Sequence, residues 1–125
     1  MKKSILKDKS FAFAVRIVNL YKYQIEKNKE YVISKQLLRS GTSIGANVRE
    51  AFNGESSKDF VHKLAIAQKE CDETLYWLEL LLVTNYLTDE LFDSISKDAI
   101  ELMKIITKSI LTTKSKLQSK PPNLN

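Results

Sequence analysis

Residues 38–51 read Leu-Arg-Ser-Gly-Thr-Ser-Ile-Gly-Ala-Asn-Val-Arg-Glu-Ala, and this stretch decides the fold. At about 100° per residue, Leu37, Gly41, Ile44, Val48 and Ala51 fall within about 80° of one another on a helix. Ser40, Ser43, Asn47 and Glu50 form a second stripe turned about 100° from the first. An ordinary surface helix carries one apolar stripe and a solvated remainder of Lys and Glu. The second stripe here is short-chained, amide and carboxylate, which suits close packing and buried hydrogen bonds. Each glycine costs about 1 kcal/mol against alanine in a helix interior, so another helix must approach closely to compensate. This segment is expected to be the internal organiser of an all-helical bundle.

The rest of the chain agrees. Its 125 residues hold three Gly and two Pro, and both prolines (Pro121, Pro122) fall in the last five positions. Four helices are expected, at about 5–28, 35–52, 57–84 and 89–116, joined by short loops that force antiparallel neighbours. The fold class is thus all-α, an antiparallel up-down-up-down four-helix bundle over residues 1–117, with 118–125 a disordered tail.

In the first helix Phe11, Ala14, Val18, Tyr21 and Ile25 recur at alternating spacings of three and four, a seam of coiled-coil type. Phe13, Ile17 and Leu20 mark a second apolar face, which four helices alone would leave partly exposed. Ser34 is the expected N-cap of the second helix, and Gly54 suits a left-handed residue after it. Ser56 with Asp59 resembles a capping box opening the third helix, whose seam is Phe60, Leu64, Ala67, Cys71, Thr74, Leu78 and Leu81. Asn85 ends that helix. The fourth turns Phe92, Ile95, Ala99, Leu102, Ile106 and Thr113 inward.

Net charge is +5, with a pI near 9.3. Residues 1–29 carry eight Lys/Arg against two acids, and 104–125 carry five lysines and no acid. The middle, 30–103, holds seven basic residues against thirteen acidic, so the positive excess sits at the termini. One reading is an anion-binding surface for nucleic acid, with Lys2, Lys3, Lys7, Lys9, Arg16, Lys104, Lys108, Lys114 and Lys116 as candidates. The other is two solvated, lysine-rich helix ends. The single cysteine excludes an intrachain disulfide and fits a reducing compartment. No apolar run approaches the roughly 18 residues of a membrane span, so a cytoplasmic location and no membrane partner are expected.

Catalysis and metal binding find little support. A di-iron bundle needs two Glu-x-x-His pairs, whereas the one histidine, His62, has only Asp59 at that spacing. Cys71 lies on a core seam with no histidine near it in sequence, and Gly41 and Gly45 lie inside a helix rather than in a phosphate loop. No enzymatic activity and no cofactor are expected. Ser43, Asn47, Glu50, Glu70 and Glu73 are the candidates for a structural polar network fixing helix register, with an acidic ligand site as the alternative.

The block 38–51, followed by Ser-Lys-Asp-Phe at 57–60 and Glu-Cys-Asp-Glu-Thr-Leu-Tyr-Trp-Leu at 70–78, resembles the four-helix-bundle family of intervening-sequence proteins of large-subunit ribosomal RNA genes. Ser43, Ile44, Asn47, Glu50 and Glu73 stand where that family's pattern expects them, while Gly41 and Gly45 replace its usual Ala or Pro. The resemblance implies a bundle assembled as a ring-like homopentamer. Similar to it are the accessory proteins of diversity-generating retroelements, basic pentamers that contact nucleic acid and a reverse transcriptase. Association with RNA or DNA is therefore the expected role, with a scaffold recruiting a partner protein as the alternative.

Overall fold

The computed structural model describes residues 4–119. Helix α1 spans Ile5–Tyr23 and runs on through a π-helical turn, Gln24–Asn28. Helix α2 is Val32–Phe52, α3 is Ser57–Val83 and α4 is Asp89–Ser119. Each helix packs mainly on its sequence neighbours, and α1 closes the bundle against α4 through the sparsest contact of the ring. The architecture is the antiparallel four-helix bundle that the short loops require.

Helix α2 buries the stripe that its spacing marks: Leu37, Gly41, Ile44, Val48 and Ala51 are all inside. The close approach inferred from its glycines is made by α1. A Cβ on Gly41 would lie 2.8 Å from Ile17 Cγ1, and one on Gly45 would lie 3.1 Å from the Ser10 carbonyl oxygen. The α3 seam is inside from Leu64 to Leu81, with Phe60 half-buried at its start. In α4, Ile95, Ala99, Leu102 and Ile106 are inside as expected, and Ile110 extends the row.

The two apolar faces of α1 are exchanged relative to the sequence reading. Phe13, Ile17 and Leu20 are core, together with Leu6, Ser10 and Gln24. The stripe of alternating three and four spacing faces outward, with Phe11 57% exposed and Ala14, Val18, Tyr21 and Ile25 only half-buried. The reason lies across the interface. Gly41 and Gly45 leave room on α2 for the face of α1 that carries Ile17 and Ser10, and the Ser10 hydroxyl donates to the Lys7 carbonyl at 3.2 Å.

Three ends also differ. Helix α2 begins at Val32 rather than 35, and Ser34 is a buried residue inside it. Its start is capped by Glu30, whose carboxylate accepts from the backbone N–H of Val32, Ile33 and Ser34 and from the Ser34 hydroxyl. Gly54 does not adopt a left-handed conformation. A Cβ there would lie 3.1 Å from Asp59 Cβ and 3.2 Å from the Ala51 oxygen, so its neighbours leave little room for a side chain. Helix α4 continues to Ser119, past the expected start of a tail at 118, and residues 120–125 lie outside the described residues. At the start of α3 Ser56 Oγ accepts from the Asp59 N–H, the N-cap half of the expected capping box, and Asn85 is left-handed (φ 71°) after that helix. No helix among the described residues is long and apolar enough to cross a membrane.

Candidate nucleic-acid and assembly surfaces

The terminal cations do not gather into one patch. Lys9 pairs with Glu101 at 2.7 Å, and Arg16 holds Asp98 at 2.7 Å and the Ser94 hydroxyl at 2.6 Å. Both therefore tie α1 to α4 along the sparse seam of the bundle. Lys7 stands 5.5 Å from the centre of the Phe52 ring, a cation–π contact between α1 and α2. Lys2 and Lys3 lie outside the described residues. Lys104, Lys108, Lys114 and Lys116 are exposed on α4. Lys104 and Lys108 have no ion-pair partner among the described residues, and neither does Lys97 one face-repeat earlier. By helical geometry these three project within about 40° of one another, opposite the buried row.

The polar stripe of α2 divides by position. Asn47 Nδ2 donates to the Ser43 carbonyl at 2.9 Å, and Ser43 Oγ donates to the Arg39 carbonyl at 2.7 Å, so both bond back onto their own helix. Glu50 lies at the surface and pairs with Lys63 of α3 at 2.9 Å. Glu70 and Glu73 are brought together by Arg39, which contacts both carboxylates, and Trp77 Nε1 donates to Glu73 at 3.1 Å. The fully buried polar contact between α2 and α3 is a different one. Thr74 Oγ1 lies 3.0 Å from Ser40 Oγ and 2.7 Å from the Glu70 carbonyl.

Sequence reasoning missed a second internal latch, where the C-terminal end of α1 meets the loop between α3 and α4. Gln24 is fully buried, and its amide donates to the Tyr86 carbonyl at 3.0 Å. Asn28 donates to both Gln24 Oε1 (2.6 Å) and the same carbonyl (3.2 Å). The π-helical turn sets Gln24 and Asn28 to face the loop between α3 and α4. A polar residue on an otherwise apolar face at position 24 was the one available signal.

Cys71 is buried with its thiol donating to the Ala99 carbonyl at 3.0 Å. Burial, aided by the neighbouring charge of Asp72, pushes that thiol up to about 12, which makes it a poor nucleophile. Among the described residues no group of three or more His, Cys, Asp and Glu could hold a metal ion.

The outward stripe of α1 borders an open groove of about 460 Å³ against α2, lined by Lys7, Phe11, Ala14, Thr42, Ala46 and Arg49 among others. The Arg49 guanidinium lies 5.8 Å from the centre of the Phe11 ring. Exposed aromatic and aliphatic side chains beside cations give this flank the composition of a protein interface rather than of a solvated helix.

A crystal structure of a protein of unknown function from the S23 ribosomal protein family of Bacteroides thetaiotaomicron is similar to this chain. It is 57% identical with a TM-score of 0.84, and the match covers 85% of this chain and 98% of that one. No curated protein matches the chain. The family model described as 23S rRNA-intervening sequence protein matches residues 2–108, which include every helix-packing feature set out above except the last turns of α4. The chain therefore belongs to the 23S rRNA-intervening sequence protein family.

Proposed function

We propose that this protein is a non-enzymatic, homopentameric, nucleic-acid-associated protein of the cytoplasm, with RNA as its ligand. The observation that carries the reading is the row Lys97, Lys104 and Lys108 on the outer face of α4, without ion-pair partners among the described residues. Lysines committed to carboxylates, such as Lys9, have little left to offer a phosphate. Lysines not engaged in an ion pair keep more of their attraction for one. The family description, which names 23S rRNA, supports RNA over other polyanions. The uncovered α1 stripe supports self-assembly, which multiplies the lysine rows around one particle and so raises affinity through multivalency.

Titration of a structured RNA at two salt concentrations tests this, beside a Lys104→Gln/Lys108→Gln variant. Wild type is expected to bind without strong sequence preference and to weaken steeply with salt, and the variant to show a shallower dependence by about two counterions. Equal affinity and equal salt dependence in the two proteins would remove the lysine row from the account.

A further inference from the structure

We propose that the cleft between the start of α3 and the end of α4 is a phosphate-binding site formed by Lys58, His62 and Lys114. Its lining consists of these three residues with Val61, Ala65 and Leu117, around an open groove of about 390 Å³. The choice of ligand follows from what the lining lacks. Four other grooves on the described surface each include a carboxylate: Glu50, Asp98 with Glu101, Glu26, and Glu79 with Asp93. This one has three nitrogen-bearing side chains and no acid. Glu55 and Asp59, the acids nearest in sequence, do not line it.

The site is built from both of its walls. Lys58 and His62 are four residues apart on α3 and therefore lie on one face of that helix, while Lys114 comes from α4. None of the three has an ion-pair partner among the described residues, whereas Lys63, one position beyond His62, is tied to Glu50. Two ammonium groups and an imidazole N–H supply donors of the kind that oxyanions accept. Val61, Ala65 and Leu117 add apolar lining beside them, suited to the sugar or base attached to a phosphate. Lys114 was a candidate from terminal charge alone. Lys58 and His62 belong to the acid-rich middle of the chain, where charge counting does not point.

A backbone phosphate of a nucleic-acid strand is the favoured source, a choice that rests on the function proposed above. A small phosphorylated molecule shares the chemistry. His62 is the single histidine, so its ring signals in a proton–carbon NMR spectrum of the full chain report on this cleft alone. The spectrum is followed during titration with inorganic phosphate and, separately, with a short oligouridylate. Both are expected to move the His62 signals, the oligonucleotide at lower concentration. A Lys58→Gln/Lys114→Gln variant with unchanged far-ultraviolet dichroism is expected to need about tenfold more of either probe. Signals that move with phosphate but not with oligouridylate would support the cleft and assign it to a small molecule. His62 signals that stay still with both probes, or that respond equally in the variant, would overturn the site. A structured RNA that still binds in that event would leave the lysine row of α4 standing without the cleft.

Discussion

Gly41 of α2 meets Ile17 of α1 with no room for a methyl group between them: a Cβ on the glycine would lie 2.8 and 2.9 Å from the two γ carbons of the isoleucine. Ile17 is fully buried and branched at Cβ, so it cannot swing aside. Gly41→Ala gains about 1 kcal/mol in helix propensity but incurs an overpacking cost of about 1–3 kcal/mol. The expected outcome is a net loss of about 1 kcal/mol. At Gly45 the nearest atom is the Ser10 carbonyl oxygen at 3.1 Å, which a shift of a few tenths of an ångström relieves. Gly45→Ala is expected to cost less than Gly41→Ala in urea melts, and the reverse order would contradict the packing described.

Glu30 is expected to contribute stability that depends on pH. Burial alone would raise its pKa, but hydrogen bonds from the Ser34 backbone and hydroxyl and from the Ile33 and Val32 N–H groups outweigh burial and hold it below 4.5. Because the folded value is depressed, the contribution is fully present above the unfolded value and disappears as pH falls through the folded one. Glu30→Ala is expected to cost about 1–2 kcal/mol at neutral pH, the range for losing a helix cap. Urea midpoints of wild type and variant should converge as the pH is lowered from about 7 to about 2. A gap that stays constant would mean that the charged cap is not what stabilises the start of α2.

Arg16 separates structural from ligand-binding cations. Its guanidinium is occupied by Asp98 and Ser94 at a half-exposed seam, so Arg16→Gln is expected to cost less than about 1 kcal/mol. RNA affinity and its salt dependence should stay at wild-type values. A drop comparable to that of Lys104→Gln/Lys108→Gln would show Arg16 releasing Asp98 to reach phosphate.

How far the sequence reveals this molecule depends on whether an element has one apolar stripe or two. Helices α2, α3 and α4 each have one, and Leu37–Ala51, Leu64–Leu81 and Ile95–Ile106 could be assigned to the core by spacing. Helix α1 has two, and periodicity cannot rank them; the decision is made across the interface, by Gly41 and Gly45 accepting Ile17 and Ser10. The cap on α2 escaped for a related reason. Ser34 is the residue type that caps helices, but a carboxylate four residues earlier reaches three N–H groups and the serine as well. Surface cations were identified as residues but not as free or paired. Whether Lys9 or Arg16 is available depends on Glu101 and Asp98, more than eighty residues away in sequence.

Exchanging the faces of α1 leaves Phe11, Ala14, Val18 and Val15 pointing away from the core, and this uncovered stripe is what the proposed assembly rests on. Multi-angle light scattering on the full chain tests it most directly. Wild type is expected to be a particle of five 14.3 kDa chains, and Phe11→Asp/Val18→Asp a single chain with its helix content intact. A wild-type particle of 14.3 kDa at micromolar concentration, or a double variant that keeps the assembled mass, would contradict it.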